Sequence, residues 1–167
     1  MFESTILPHL DSAYNLARWL TRNDHDAEDI VQEAFLRAFR SFKTFTPGRD
    51  GRAWLLAIVR NCCRTWLREN RPQQLAVELD DNFQACVEPW SNPEATLIIS
   101  ATSQLVRQAL EELPVEYREV LILRELEDLS YKEIATVAEI PIGTVMSRIS
   151  RARKELYARI RQAEEGN

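Results

Sequence analysis

Six side chains in one short stretch, Thr144, Ser147, Arg148, Arg151, Arg153 and Lys154, bring hydroxyl donors and cations together at helical spacing. Groups of this kind recognise rather than catalyse. An α-helix fits the major groove of duplex DNA, where Arg pairs bidentately with a guanine edge and Ser contacts several bases. At 100° per residue, Ile142, Val145, Ile149, Ala152, Leu156 and Ile160 share one arc, while Ser147, Ser150, Arg151 and Lys154 lie opposite. Arg151 and Ser147 are therefore the candidate base readers. Thr144, Arg148, Arg153 and Lys154 suit phosphates, which add salt-dependent affinity and orientation but no sequence information. The same pattern also admits a basic, solvated face on a helical hairpin.

A second cationic stripe lies upstream. Arg52, Arg60, Arg64, Arg68 and Arg71 stand opposite Trp54, Leu55, Ile58, Val59, Cys62 and Trp66 on a helix expected over 52–70, with Leu67 alone falling among the arginines. No acid at the i+4 position balances them, which favours phosphate binding over a merely solvated face. Catalysis has no comparable support. His9 and His25 have no cysteine or acidic cluster spaced as metal ligands, and there is no nucleophile–base motif or phosphate-binding glycine loop. Cys62, Cys63 and Cys86 make neither a CxxC pair nor a zinc spacing, and Cys62, on an apolar face, is expected to be a buried thiol. No catalytic residue, metal or cofactor is expected.

The elements that must position these stripes read as helices throughout. Leu10, Ala13, Tyr14, Ala17 and Leu20 mark one; Ala27, Ile30, Val31, Ala34, Phe35, Ala38 and Phe39 mark the next, after a cap at Asp24 or Asp26. The loop 45–51, with Pro47, Gly48 and Gly51, interrupts the pattern before the arginine helix. From Pro72 to about Pro93 no helical period is sustained, and the segment reads as a linker with a reach of about 70 Å at roughly 3.3 Å per residue. Helices resume over 95–113 and 115–127, the latter with Pro114 at its first position. Ser130 and Glu133 then form a capping box, Pro141 ends the short helix that follows, and the second helix starts near Ile142. The fold class is all-α: two small helical domains, 1–71 and 95–167, joined by a flexible acidic linker, 72–94, with a C-terminal helix-turn-helix.

Charge explains how a chain of net charge −5 could bind DNA. Residues 47–71 carry six basic and two acidic groups, and 130–161 carry seven and three, whereas 72–99 hold five acids and no base. Two basic patches on an acidic chain imply weak DNA affinity unaided and delivery by a larger partner. A conventional helix-turn-helix regulator would instead bind its operator alone, usually as a dimer, a reading against which the second basic helix and the acidic balance argue. No apolar run approaches the roughly 18 residues of a membrane span, and the N-terminus lacks a basic-then-apolar leader, so a cytoplasmic protein without membrane insertion is expected.

Four segments, DAEDIVQEAFLRAFRSF (26–42), AWLLAIVRN (53–61), LPVEYREVLILRELEDLSYKEIA (113–135) and IPIGTVMSRISRARKEL (140–156), occur in an order that resembles the extracytoplasmic-function (group IV) sigma factors of bacterial RNA polymerase. The resemblance implies that the 26–42 helix docks on core RNA polymerase through Asp29, Gln32, Glu33 and Arg37. It implies that Phe45, Arg49, Asp50 and Asn61 bind the −10 element around a flipped base, with Arg60 and Arg64 on phosphates, and that the helix-turn-helix reads the −35 element. Promoter DNA, core polymerase and an anti-sigma factor are the implied partners, with no obligate homo-oligomer. Glu139, Met146 and Ala57 stand where relatives often carry Gly, a basic residue and Arg, so promoter preference does not transfer.

Overall fold

The computed structural model describes residues 1–75 and 104–165, and all regular structure among them is helical. The N-terminal group comprises α1 (Phe2–Ile6), α2 (Leu10–Thr21), α3 (Asp24–Ser41), α4 (Gly51–Asn70) and the short α5 (Pro72–Leu75). The C-terminal group comprises α6 (Gln104–Glu112), α7 (Val115–Leu121), α8 (Tyr131–Ala138) and α9 (Ile142–Glu165). Most of the expected linker, the start of the 95–113 helix and Cys86 lie outside the described residues.

Helices α2, α3 and α4 pack on one another through Leu16, Leu20, Ile30, Ala34, Ala38, Leu55 and Val59, all buried. Alanines at 27, 34 and 38 let the α3 backbone approach its neighbours closely. The cap of α3 is Asn23 rather than Asp24 or Asp26: its side chain accepts the N–H of Asp26 at 3.0 Å. Phe39, expected inside, is 66% exposed, because the buried arc of α3 is narrow and Phe39 falls beyond its edge.

In the second group, α9 packs on α6, α7 and α8 through Val145, Ile149, Ala152, Leu156 and Ile160. Ile142, expected in this apolar arc, is 50% exposed at the helix start. Pro114 caps α7 from outside, one position before the expected one, and the helix passes at Leu121 into a π-helical turn, Ile122–Leu126. The capping box at Ser130 and Glu133 is present in both directions. The helix it starts ends at Glu139 in the left-handed region, φ 58°, which is the conformation a glycine would adopt there without strain.

The two groups pack together, α4 against α8 and α2 against α7. Close approach also occurs within the first group: a Cβ added at Gly51 would meet Thr5 O at 2.9 Å and Thr5 Cγ2 at 3.0 Å, whereas one at Gly143 would meet nothing within 4 Å. Gly51→Ala should therefore destabilise the fold by about 1–3 kcal/mol, while Gly143→Ala should leave it unchanged or raise its stability by up to about 1 kcal/mol. Urea midpoints at constant slope provide the check, and similar midpoints for the two variants would contradict the packing at Thr5.

Candidate nucleic-acid interface

The arginine stripe of α4 is only partly open to solvent. Arg60 is 6% exposed, and its Nε donates to Glu119 Oε1 of α7 at 2.5 Å. One turn later, Arg64 Nη1 lies 3.5 Å from Glu116 Oε1. Two side chains expected on phosphates are thus paired with carboxylates from the other half of the chain. Arg71 is also engaged, donating to Thr21 O at 2.7 Å and lying 5.0 Å over the Trp66 ring. Leu67, the apolar residue among the arginines, is fully buried, as a face covered by protein requires. Arg68 remains exposed, and Asn61 Oδ1 accepts a long 3.4 Å contact from Arg60.

The glutamates that meet this stripe were not expected as site residues. A signal was available in the spacing: Arg60 and Arg64 are one turn apart, and so are Glu116 and Glu119, so two crossing helices can match both pairs at once. Burial pushes the Glu116 carboxyl above its usual value; its own backbone N–H, Arg64 and Arg148 pull it back without compensating, and Glu119 adds to the rise. Burial also raises the Cys63 thiol well above the ordinary thiol range, and Cys62 is buried too, as expected of a structural thiol.

A tighter contact lies behind the pairs. Arg118 of α7 is 2% exposed and donates to Glu111 O and Leu113 O, each at 2.9 Å, and to Leu20 O of α2 at 3.3 Å. Arg22, just past the end of α2, donates to Glu111 O at 3.1 Å. Cations from each half therefore meet carbonyls at the C-terminal end of a helix in the other, where backbone acceptors are unsatisfied and the helix dipole is negative. Burial brings the Arg118 guanidinium down to about 10, with nearby Arg22 contributing; it remains charged at neutral pH.

The 45–50 loop is held by aromatic packing. Phe45 stacks on Phe42 at 5.5 Å and meets Trp54 edge-on at 5.1 Å, so Phe45 and Trp54 are both half-buried. Asp50 caps α4 by accepting Arg52 N–H at 3.0 Å. Partial burial would raise the Asp50 carboxyl, but the N–H groups of Arg52 and Ala53 and the Arg52 charge outweigh it and hold the group below its usual range. Arg49, Asp50, Trp54 and Ala57 line a cleft of about 220 Å³ whose opposite wall is Lys132, Glu133 and Thr136 of α8. The loop expected to take a flipped base thus faces the first helix of the helix-turn-helix.

On α9 the candidates separate. Lys154 is exposed, and Thr144, Arg148 and Arg151 are half-buried. Ser147, expected on the outer face, is 2% exposed and donates to Thr144 O at 3.1 Å. Arg153, expected on a phosphate, is buried and pairs with Glu125 of the π turn, Nε to Oε1 3.1 Å, where it braces the C-terminal group. On α3, Asp29, Gln32, Glu33 and Arg37 are all exposed, with Glu33 and Arg37 paired at 3.0 Å. Between them lies Leu36, 51% exposed and not expected as a site residue, which forms an apolar strip with the displaced Phe39, flanked by these polar groups. Leu36 breaks the polar pattern of that face, and this was its signal.

Residues 5–73 match the family Sigma-70 region 2, and residues 103–156 match Sigma-70, region 4. The chain is 35% identical over 156 residues to the ECF RNA polymerase sigma factor SigE of Mycolicibacterium smegmatis, covering 93% of this chain and 60% of that relative's length. It is 36% identical over 137 residues to the ECF RNA polymerase sigma-E factor of Escherichia coli, covering 78% of this chain and 72% of the relative. Among solved structures, the sigma factor RpoE in complex with the anti-sigma factor NepR, from Bartonella quintana, superposes with a TM-score of 0.73 at 27% identity, over 96% of both chains. CnrH in complex with the cytosolic domain of CnrY superposes with a TM-score of 0.66 at 27% identity, over 94% of this chain and 85% of that one.

Glu116 makes the closed arrangement sensitive to pH. Its pKa is raised above 4.5 in the folded state, so the folded chain holds that proton more tightly than the unfolded chain does. The group's favourable contribution is complete below pH 4.5 and is lost as pH rises through the raised value. Urea titrations from about pH 4 to about pH 8 should show wild type losing stability relative to Glu116→Gln as pH rises. Parallel profiles would contradict the assignment.

Proposed function

The chain belongs to the extracytoplasmic-function sigma factors of the sigma-70 family, and we propose that it binds core RNA polymerase, directs it to promoters by reading −10 and −35 elements, and assists melting. In this reading it has no catalysis of its own, acts in the cytoplasm where the polymerase is, and is held in check by an anti-sigma factor. Residues 1–71 form the polymerase- and −10-binding domain, 95–167 the −35-binding domain, and 72–94 connect them. The observation that carries the proposal is the coexistence of two cationic helix faces in one acidic chain with an exposed, mixed apolar–polar strip on α3.

Each surface takes one part of the task. Leu36 and Phe39 supply apolar area for docking on the polymerase, and Asp29, Gln32, Glu33 and Arg37 around them supply orientation. Phe45, Arg49, Asp50 and Asn61 hold the unstacked −10 strand while Arg60 and Arg64 meet its phosphates; flipping a base costs a few kcal/mol, offset by pocket and backbone contacts. For −35 recognition Arg151 reads a base, and Thr144, Arg148 and Lys154 contact the backbone. Ser147, Arg153 and Arg60 have a smaller share than the sequence pattern implied, since all three are buried. No described helix is long and apolar enough to cross a membrane.

Run-off transcription with purified core polymerase on a cognate promoter is the direct test, and failure to bind core would remove the reading. Phe39→Ala should weaken core binding by about 1–2 kcal/mol with DNA contacts intact, as loss of an interface anchor does. Arg151→Ala should cost about 1–3 kcal/mol and relax preference at one −35 position, whereas Arg64→Ala should weaken binding evenly and reduce the salt slope by about 1. Equal losses for Arg151→Ala on every promoter variant would refute its base-reading role.

A further inference from the structure

We propose that Glu125 is a positioning residue for −35 reading: it holds Arg153 against the π-helical turn and so sets which side chains of α9 face DNA. The inference rests on the assignment of α9 as the −35 helix. It gives a part in promoter preference to a residue outside the expected contacts. Glu125 lies in the π-helical turn Ile122–Leu126, which is closed by the Glu127 N–H donating to Ile122 O at 3.1 Å. Two adjacent residues of this turn hold the two helices of the helix-turn-helix. Arg124 Nη1 donates to Leu129 O at 2.9 Å, and its guanidinium lies 5.0 Å over the Tyr131 ring, which fixes the start of α8. Glu125 Oε1 accepts from both Nε and Nη2 of Arg153, which fixes α9.

Apolar packing alone defines the roll of α9 about its axis only loosely. The contacts of Val145, Ile149, Ala152, Leu156 and Ile160 are non-directional, whereas in the ion pair two N–H groups on one edge of a guanidinium converge on one oxygen. The paired side chains of Arg153 and Glu125 are 9% and 14% exposed, so water and salt screen them far less than Arg37 and Glu33. Arg151 precedes Arg153 by two residues, about 200° round the helix, so holding one fixes the direction of the other. A roll of about 20° would carry a side chain on a helix of radius about 6 Å through about 2 Å. A bidentate contact to a base edge does not survive that shift, because hydrogen-bond lengths span only about half an ångström. Contacts from long cations such as Lys154 to phosphates follow it more easily. Removing Glu125 leaves a buried guanidinium without this carboxylate, and rolling α9 to expose it restores hydration. Sequence preference should therefore suffer more than affinity.

The test uses the full chain with core polymerase, and measures binding to duplex promoters that carry the cognate −35 element or one substituted base pair within it. Glu125→Ala should reduce the preference for the cognate element by about tenfold, the discrimination that one well-placed base contact supplies. Glu125→Gln keeps the accepting oxygen and should retain most of that preference. Wild-type preference in Glu125→Ala would overturn the proposal. So would tighter binding to every promoter at unchanged preference, which would make Arg153 a phosphate contact that Glu125 restrains. If circular dichroism shows that Glu125→Ala has lost its helices, Arg153→Lys decides. It keeps the charge that a phosphate needs, but an ammonium does not reproduce the two-point grip, and preference should fall by about threefold; unchanged preference overturns positioning. Amide hydrogen exchange on the free chain separates the fixing of α9 from DNA reading. Glu125→Ala should speed exchange over residues 142–153 by about tenfold and leave α2 and α3 unchanged, whereas equal acceleration throughout marks general destabilisation and overturns the proposal. If wild type itself fails to direct core polymerase to a promoter, the sigma reading falls and the −35 role with it, while the exchange result still judges whether Glu125 fixes α9.

Discussion

Arg118 is the contact on which the arrangement of the two halves depends. Its guanidinium is almost fully buried, a state tolerable for a charge only where carbonyl dipoles surround it. Those carbonyls come from Leu20 at the end of α2 and from Glu111 and Leu113 at the end of α6. Two helix C-termini, each with unpaired acceptors, are thereby drawn to one cation, and Arg22 reinforces the junction from the other side. With those ends abutting, α7 is laid along α2, and its glutamates come into register with the arginines of α4.

That register gives two arginines of the α4 stripe carboxylate partners from α7. Surface ion pairs such as Arg37–Glu33 contribute little, because water and salt screen them. The Arg60–Glu119 pair is different. Its charges are desolvated, so the attraction is strong and so is the cost of leaving either partner alone. The second carboxylate oxygens of Glu116 and Glu119 are buried without a hydrogen-bond partner among the described residues, which opposes the packing. Part of the basic face of an acidic chain is thus covered by the chain's own acids.

Much of the local structure was legible because short-range chemistry determines it. The capping box at Ser130 and Glu133, the stop before Pro141, the apolar arcs of α2 and α9 and the loop at Pro47–Gly51 follow from backbone valence and helical periodicity. The departures share one cause. Phe39, Ile142, Ser147, Arg153, Arg60 and Arg64 all lie where a helix has a neighbour, or lacks one, on its second face. Periodicity divides a helix into an apolar side and a polar side, and it does not say whether the polar side also meets protein.

The residues in order determined the helices of the described residues, two cationic stripes and a helix-turn-helix. Only the tertiary structure decided what those cations touch. Arg60 has the same charge in any list of residues, but 59 positions separate it from Glu119, and the packing of the two halves brings them to 2.5 Å. Charge is a property of composition and can be read from it; desolvation and pairing depend on distance, and distance is set by packing.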